Sequence, residues 1–482
     1  AFQLYHIRHV TGLMDVGFQA ESAARIAHGQ APYRDFFSLI PPLHFFGLAI
    51  LVRLFGPSLI AINCAAAFVG GTICLLVYLI CRRFTGVFIS TLAFVTAQVF
   101  SLALTGTVPS YAFTALMFAL ASIYCGLIGI QEPKRGPFLL CGLFAGMALW
   151  SKQTIGAYVL VGMAPILLAR SVRKVSIPNI AAGFLLITVP MLAYLLLMGA
   201  WPAFVQDTIL YPAASFRRAA GIPTPSLTAV GIKFHSLPAD LYWLSVLGLL
   251  AALIWIGMHW RERDLKFVYL TFSALCMFCV THERFGFLKL RVGLPLVVIV
   301  LLVLAARCLT GRRQALLLVA LVPIWLATIL YTGRLYRDKD VSPDTRWVAA
   351  QPESIYMEAL QVRTLETCIA FLRAHPTSRT LIVPYLPAAY FYADSLPPSR
   401  YDLMIPANLP PGSHQEIARD IARADYVLYV PSSDFDGVPL AKYDPRIFHD
   451  LETRGDVQSA PPATGVIVLG RSGVTSATLS PR

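Results

Sequence analysis

The chain has 482 residues, 57% of them hydrophobic, and its mean hydropathy is +0.65. Soluble globular chains are usually about 45–50% apolar, so this composition, arranged in long apolar blocks, indicates an integral membrane protein. The formal charge of +13 does not indicate a nucleic-acid partner, because the cations lie mostly between the apolar blocks and no basic stripe with interleaved aromatic residues is present.

The nine cysteines predict neither a disulfide framework nor a metal site. Eight lie in or at the ends of apolar blocks, and Cys368 alone falls in the polar C-terminal region. Cys276 and Cys279 form a C-x-x-C pair, but no second pair or nearby histidine accompanies it. Small buried hydrophobes are therefore the better interpretation of both.

A polar stretch, residues 12–56, precedes the first long apolar block. It carries Asp15 and Glu21 and a small-residue amphipathic run, Ala20–Ala27. Its last part, Leu43–Phe55, is apolar but shorter than the roughly 20 residues that cross a bilayer, so we expect a helix lying at the interface or half inserted. A carboxylate-bearing loop ahead of apolar helices suggests a reaction or binding site at the bilayer surface.

Ten apolar blocks follow, and each predicts a membrane-spanning helix. Three are short, which is acceptable for helices packed inside a bundle beside a cavity. The predicted spans, of which the fourth, fifth and eighth are short, are Ser58–Cys81, Val87–Gly106, Ser110–Ile130, Pro137–Trp150, Thr154–Ala169, Pro178–Ala200, Ala239–Trp260, Lys266–Thr281, Leu290–Cys308 and Gln314–Gly333.

Basic residues alternate between the loops and set the orientation of these spans. The loops after the odd-numbered spans hold thirteen Lys and Arg residues, and the alternate loops hold seven. Because Lys and Arg are in excess on the cytoplasmic side, the first set is predicted to be cytoplasmic. Ten spans then place residues 12–56 and the C-terminal region on the same, external side.

After residue 333 the composition becomes that of a soluble protein. The apolar pattern predicts helices at 357–374, 414–424 and 446–454 and strands at 381–383, 426–430 and 465–469. Helices alternating with short strands are typical of a small α/β domain, expected to cover or recognise something above the membrane site.

Three domains follow from these patterns. They are residues 1–56, the first external loop with interfacial helices; residues 57–333, the transmembrane bundle; and residues 334–482, the external α/β domain. The external loop 201–237 is long enough to cap a cavity, and a solvated linker explains it equally well.

Several charged residues are candidates for chemistry, each with a simpler alternative. Asp15 is either a general base facing a bilayer cavity or a helix-capping or solvated acid. Glu21 either faces the same cavity or lies on the solvated face of the Ala20–Ala27 helix. Lys152, between two apolar blocks, either extends its ammonium group to the interface or neutralises a lipid phosphate.

A second external turn carries His282, Arg284, Lys289 and Arg291. Charges close to membrane depth are costly and tend to be functional. His282 by itself is better explained as a turn residue than as a metal ligand, because no second histidine lies at ligand spacing.

The spacing D-x-G-x₁₁-G-x-x-P-Y-x-D-F-x₅-P-L, from Asp15 to Leu43, resembles the first external loop of GT-C-fold glycosyltransferases. The similarity is to the bacterial branch related to protein mannosyltransferases and the aminoarabinose transferase of lipid A. Leu-Phe-Gly at 54–56, the short span ending near Lys152 and the C-terminal α/β region fit the same pattern. The resemblance covers essentially the whole chain and implies an α-helical polytopic membrane protein, a GT-C-like transmembrane bundle, with a C-terminal soluble α/β domain.

The resemblance also implies an activity. It matches Asp15 to the family's catalytic acid and Lys152 to a lysine near the donor phosphate. The expected reaction is inverting sugar transfer from a polyisoprenyl-phosphate donor to an extracytoplasmic lipid, glycan or protein, with no cofactor and no metal. The predicted substrate-binding residues are Glu21, Tyr33, Asp35, Lys152, Arg284 and Arg291.

The same resemblance predicts a location, the bacterial inner (cytoplasmic) membrane with a periplasmic C-terminal domain. Relatives usually have one further helix before the first loop, so we expect a transmembrane helix ahead of Ala1.

Departures from the family pattern keep a second interpretation open. Ile40 stands where some relatives carry a lysine before the Pro-Pro pair, and residues 105–109 lack an acid that others carry. Val292 stands where a tyrosine is often found. A non-catalytic GT-C-like subunit that binds lipid or stabilises an assembly with a membrane protein partner is therefore the alternative. A transporter fits less well, because no internal repeat is evident.

Overall fold

A computed structural model describes residues 7–10, 13–102, 109–216, 224–227, 237–262, 264–282, 287–309, 311–337, 347–433, 438–454, 457–459 and 465–470. Within these residues the membrane part is entirely helical. Its helices are α1 (Leu13–Ala27), α2 (Leu43–Phe55), α3 (Leu59–Arg82), α4 (Val87–Leu102), α5 (Tyr111–Gln131), α6 (Arg135–Ser151), α7 (Gln153–Gly162), α8 (Ala164–Leu168), α9 (Arg173–Leu197), α10 (Trp201–Val205), α11 (Leu237–Met258), α12 (Leu265–Phe278), α13 (Phe287–Cys308) and α14 (Leu316–Arg337).

The chain is a multi-pass membrane protein, as its composition predicts. Seven helical segments are long and apolar enough to cross a membrane: Leu59–Arg82, Tyr111–Gln131, Arg173–Leu197, Leu237–Met258, Leu265–His282, Lys289–Cys308 and Arg313–Leu330. Each of the ten predicted spans overlaps helix in the structure, although residues 103–106 of the second lie outside the described residues. The three that fall short of the length for a crossing are α4, α6 and the α7–α8 segment.

The fifth predicted span is two helices. It is interrupted at Met163, and Pro165 occupies the first turn of α8. Proline has no N–H to donate and is tolerated only at the start of a helix, which accounts for a new helix beginning there. The predicted boundary at Thr154 was also one residue late, because Gln153 is already helical.

The basic residues predicted to be cytoplasmic meet at one end of the bundle. The Arg83 guanidinium donates to Gln131 Oε1 at 2.9 Å, Lys266 Nζ lies over the Phe84 ring, and Arg307 lies over the Phe267 ring. We call this the lower end. The opposite, upper end carries the first turns of α3 and α5 and the break between α6 and α7.

Helix α2, expected at the interface, has one face against the protein and one face open. Phe45, Leu48 and Val52 are buried, whereas Leu54 and Phe55 are exposed. An exposed apolar face on a helix too short to span is the pattern of an interfacial helix, so its location at the bilayer surface stays a prediction.

The C-terminal region is α/β, as predicted. Its strands are β1 (Trp347–Ala350), β2 (Ile355–Glu358), β3 (Thr380–Val383), β4 (Tyr426–Tyr429), β5 (Val457–Ser459) and β6 (Ile467–Gly470). Its helices are α15 (Ala359–Ala374), α16 (Pro387–Ala393), α17 (Ser413–Arg423), α18 (Leu440–Tyr443) and α19 (Pro445–Arg454). Four strands form one sheet in the order β3-β4-β6-β5, parallel between β3 and β4 and antiparallel elsewhere, and β1 and β2 form a separate antiparallel pair.

The sheet domain rests on the first loop at the upper end. A Cβ on Gly17 of α1 would lie 2.8 Å from the backbone nitrogen of Ala388 in α16, so only glycine permits this close approach. Val10 N donates to Tyr356 O at 3.0 Å. The Glu353 carboxylate accepts from Leu59 N at 2.8 Å. These contacts join the C-terminal domain to the segment that carries Asp15 and to the start of α3.

Candidate active site

The polar centre of the upper end is the carboxamide of Gln19, one turn after Asp15 on α1. Its Oε1 accepts from His44 Nε2 at 2.8 Å and from the backbone nitrogen of Tyr111 at 3.2 Å. Its Nε2 donates to Asp15 O at 3.1 Å. One buried side chain thus joins the first turns of α1, α2 and α5.

His44 completes this connection from α2. Its Nδ1 lies 3.0 Å from Thr114 Oγ1 on α5, and both partners and the ring are buried or partly buried. Burial lowers the pKa of His44 to about 3, so the ring is neutral; since Nε2 donates to the amide oxygen, Nδ1 is left to accept from the Thr114 hydroxyl. His44 is therefore a brace between helices rather than a proton carrier, and the family motif did not mark it or Gln19.

Asp15 lies in the first turn of α1 with its side chain exposed. Its backbone carbonyl is held by Gln19, so its main chain is fixed to the bundle while its carboxylate faces outward. This is the arrangement that a general base acting on an incoming acceptor requires. The prediction that Asp15 is catalytic stays a prediction with favourable geometry.

Lys152 lies at the break between α6 and α7 and is only 4% exposed. Its backbone is extended (φ −155°, ψ 114°) and ends one helix while starting the next. The neighbouring Gln153 Nε2 donates to Leu39 O and to Thr208 O, each at 3.0 Å. A cation is therefore buried directly beside the first loop, contrary to the alternative of an ammonium group extended into water.

Arg291 is fully buried near the start of α13. Its Cζ lies 5.2 Å from the centroid of the Phe113 ring on α5, a separation at which a cation is attracted to an aromatic face. Phe113 is two residues beyond Tyr111, which contacts Gln19. Arg291 therefore lies at the same end of α5 as the Gln19 connection, while Arg284 lies outside the described residues.

Tyr33 is buried and shapes the first loop. Its hydroxyl donates to Ile40 O at 2.6 Å, its backbone has a positive φ of 70°, and its ring packs edge-on against Phe204 with centroids 5.1 Å apart. The hydroxyl is therefore engaged by the protein itself. Direct substrate binding by Tyr33 stays a prediction, and the contacts favour a supporting role.

Asp35 is likewise engaged within the loop. Its carboxylate accepts from Ala31 N at 2.7 Å and from the Arg34 guanidinium at 2.8 Å. The hydrogen bond from Arg34 is the main reason that the pKa of Asp35 lies below its ordinary value. The carboxylate thus closes a turn, and substrate contact by Asp35 also stays a prediction.

Glu21 does not lie on a solvated helix face, so that expectation was wrong. The side chain is fully buried on the face of α1 that packs against the C-terminal domain. Within the described part of the chain neither carboxyl oxygen has a hydrogen-bond partner. Burial, and then the charge of Asp402, raise the pKa of Glu21 well above its usual value, and Arg25 only partly opposes them. Burial therefore favours the neutral form of this acid.

Arg25, one turn beyond Glu21, connects α1 to the C-terminal domain. Its guanidinium donates to Ser399 O at 3.2 Å and lies 3.5 Å from Asp402 Oδ2, with both side chains buried. It also donates to Asp35 O at 3.0 Å. Glu21 thus borders an interdomain polar cluster, which makes structural support its best-founded role.

Replacing Glu21 by Gln tests whether this buried acid holds its proton. Since the pKa in the folded state exceeds the reference value of 4.5, folding takes up a proton, and the free energy of unfolding should fall as pH rises above about 4.5 and through the pKa of the folded state. We expect Glu21→Gln to lack this decline in thermal unfolding curves measured between about pH 5 and pH 8. Glu452→Gln, on an exposed side chain, serves as control, and parallel curves for Glu21→Gln and the wild type would contradict the prediction.

An ion pair between Arg400 and Asp207 was not marked by the sequence. Arg400 Nη2 lies 2.6 Å from Asp207 Oδ2, and the same nitrogen donates to Tyr33 O at 2.8 Å. Burial raises the pKa of Asp207 to about 6 although Arg400 acts in the opposite direction, so the carboxylate is ionised at neutral pH.

Among the described residues no group of three or more His, Cys, Asp or Glu side chains is placed to hold a metal ion. The expectation of metal-independent chemistry stays a prediction.

Comparison with known proteins identifies the fold. Residues 40–200 match the family model described as dolichyl-phosphate-mannose-protein mannosyltransferase, a stretch that includes Lys152 and leaves out Asp15. ArnT from Cupriavidus metallidurans bound to undecaprenyl phosphate matches with a TM-score of 0.60 at 13% identity, over 97% of this chain and 95% of that chain. Its apo state matches with a TM-score of 0.58 at 14% identity, over the same shares.

A more distant match is the Archaeoglobus fulgidus oligosaccharyltransferase tethered with an acceptor peptide. The TM-score is 0.52 at 12% identity, over 86% of this chain and 65% of that chain. No curated protein sequence matches significantly. The predicted likeness to GT-C-fold glycosyltransferases is confirmed, and the chain has the GT-C fold over nearly its whole length. At these identities the structural matches establish the fold alone.

Proposed function

On the premise of a GT-C fold, we propose that this protein is a membrane glycosyltransferase that uses a polyisoprenyl-phosphate-linked sugar. The observation that carries the proposal is the pairing of an exposed carboxylate, Asp15, with buried cations at the same end of the bundle, Lys152 and Arg291. Charged side chains at membrane depth are rare and tend to mark substrate pathways, and cations in such a position suit a lipid phosphate.

The reaction needs two functions that this arrangement can supply. Asp15 accepts the proton of the acceptor hydroxyl or amine as that nucleophile attacks the anomeric carbon. The bond from the anomeric carbon to the phosphate oxygen breaks with its electron pair, the configuration inverts, and lipid monophosphate leaves. Lys152 and Arg291 stabilise the charge that grows on the phosphate.

The external domain selects and covers the acceptor in this proposal, because it contacts the first loop through Gly17 and Arg25. The excess of cations in the lower loops supports a bacterial cytoplasmic membrane protein with its sheet domain in the periplasm. ArnT is described as bound to undecaprenyl phosphate, and a lipid carrier of that class is our proposed donor scaffold.

Mass spectrometry of lipids that co-purify with the protein tests the donor class. We expect a polyprenyl phosphate carrying one sugar, and its mass would give the elemental composition of that sugar. Bulk phospholipid alone, in several detergents and after adding back polyprenyl-phosphate lipids, would argue against the proposal. It would favour a non-catalytic subunit, which the substitution of Ile40 for the lysine of some relatives also favours.

A further inference from the structure

One guanidinium of the C-terminal domain, that of Arg400, contacts two separate segments near the membrane site. Arg400 pairs with Asp207, which is 3% exposed and lies in the π-helical turn Gln206–Leu210 after α10. The same Nη2 of Arg400 donates to the carbonyl of Tyr33 in the first loop. Three segments that are far apart in sequence therefore meet at a single, largely desolvated charge pair, which we call the Arg400 clasp (Arg400 and Asp207).

One line of contacts runs from the clasp through the external loop. Thr208 follows Asp207, is buried, and is held by a hydrogen bond from its hydroxyl to Phe204 O at 2.6 Å. The carbonyl of Thr208 accepts from Gln153 Nε2 at 3.0 Å. The position of the turn that carries Asp207 is thereby linked to the residue next to Lys152.

A second line runs through the first loop and ends at the same residue. Tyr33, whose carbonyl Arg400 holds, donates from its hydroxyl to Ile40 O at 2.6 Å. The preceding carbonyl, that of Leu39, accepts from Gln153 Nε2 at 3.0 Å. Arg400 thus contacts both segments, at Tyr33 and Asp207. Gln153 Nε2 contacts the same two segments, at Leu39 and Thr208.

Lys152 is the residue whose place depends on this arrangement. It is the extended residue at the α6–α7 break, where its N–H donates to Ala148 O at 2.9 Å and its carbonyl accepts from Gly156 N at 3.1 Å. Because the side chain of Lys152 is long and its residue is not helical, the surrounding residues determine where its ammonium group lies. A small displacement of a charged group that contacts the reacting phosphate lowers the reaction rate.

We propose that Arg400 and Asp207 are positioning residues that set Lys152, through Gln153, for the phosphate of the lipid donor. The proposal rests on the proposed function, because it assigns Lys152 to the donor phosphate. It explains why an external-domain arginine contacts two membrane-proximal loops at once. It also predicts that the effect of the clasp on phosphate binding disappears when Lys152 is absent.

The test is a double-mutant cycle read out by equilibrium binding of undecaprenyl phosphate to detergent-purified protein. We expect Arg400→Gln to weaken binding about tenfold, which corresponds to about 1.4 kcal/mol. In a Lys152→Met background the same substitution should have no further effect, because coupled residues are not additive. If the Arg400 clasp only stabilised the fold, Arg400→Gln would shift the unfolding temperature. It would also weaken binding by the same factor in the wild-type and Lys152→Met backgrounds.

Two further variants keep the cycle decisive. Asp207→Asn preserves volume and hydrogen bonding while removing the charge, so it replaces Arg400→Gln if that variant does not fold. Arg419→Gln, an exposed arginine whose Nε donates to a carbonyl of its own helix, should bind as the wild type does.

Wild-type affinity in folded Arg400→Gln or Asp207→Asn protein, or full additivity with Lys152→Met, would overturn the positioning role and leave the proposed function standing. A wild type that does not bind undecaprenyl phosphate would overturn the proposed function and this inference with it.

Discussion

Asp15→Asn is expected to abolish sugar transfer while the protein stays folded and still binds its lipid donor. The amide is nearly the same size as the carboxylate but cannot accept the acceptor's proton, and loss of a general base typically costs about 10²–10⁴-fold in rate. The side chain is exposed in the first turn of α1, so the exchange leaves no cavity. The measurement is the rate at which sugar leaves the lipid-linked donor in purified membranes.

Asp450→Asn provides the matched control for Asp15→Asn. Asp450 lies on α19 of the external domain, remote from the Gln19 connection, so turnover should be unchanged. Donor binding by Asp15→Asn should equal that of the wild type, because in our proposal Asp15 acts on the acceptor. Turnover at the wild-type rate in the Asp15→Asn variant would remove Asp15 from its role as base.

The helices of the bundle were predictable because apolar blocks about 20 residues long have one favourable state in a bilayer, a helix with all its backbone groups paired. The strand pair β1–β2 was not predicted. Its members are four residues each, too short for an alternating pattern to be distinguished from a loop. The break at Met163 was not predicted because the apolar residues continue without interruption across it. Pro165, in the first turn of the next helix, was the signal that could have indicated it.

The sequence placed Asp15 and Lys152 on the same side of the membrane, and both lie at the upper end of the bundle; their roles stay predictions. The burial of Glu21 was not predicted, because the solvent-facing side of a small-residue helix cannot be identified before its partner domain is known. Arg400 and Asp207 are 193 residues apart in sequence. Long-range pairing of that kind leaves no trace in local periodicity.

The supporting contacts of the site share a further property that sequence patterns do not show. Several of them join a side chain to a backbone carbonyl, as Gln153 does to Leu39 and Thr208. Every residue has a backbone carbonyl, so the sequence does not mark the accepting partner. The motif includes the loop residues Tyr33 and Asp35, whose side chains hydrogen-bond within the loop itself, so substrate contact by them stays a prediction.

Lys152→Met is expected to weaken donor binding and to slow transfer by about 10²–10³-fold, the loss typical when one group that stabilises a developing charge is removed. Methionine has a similar length and fills the same space, so no cavity forms. The unfolding temperature is measured beside the affinity. A folded variant with a wild-type unfolding temperature and a lower affinity for lipid phosphate is a pattern that a purely structural lysine would not produce.

Lys134→Met is the control for that substitution, since Lys134 lies at the lower end in an exposed pair with Glu132 and an exposed pair contributes little. Lys152→Arg should recover binding only in part, because a planar guanidinium does not replace a compact ammonium in a confined site. We expect Lys152→Met to slow transfer less than Asp15→Asn does. In our proposal Arg291, near the start of α13, remains as a second cation for the leaving phosphate. Wild-type donor affinity in folded Lys152→Met protein would exclude Lys152 as the phosphate contact.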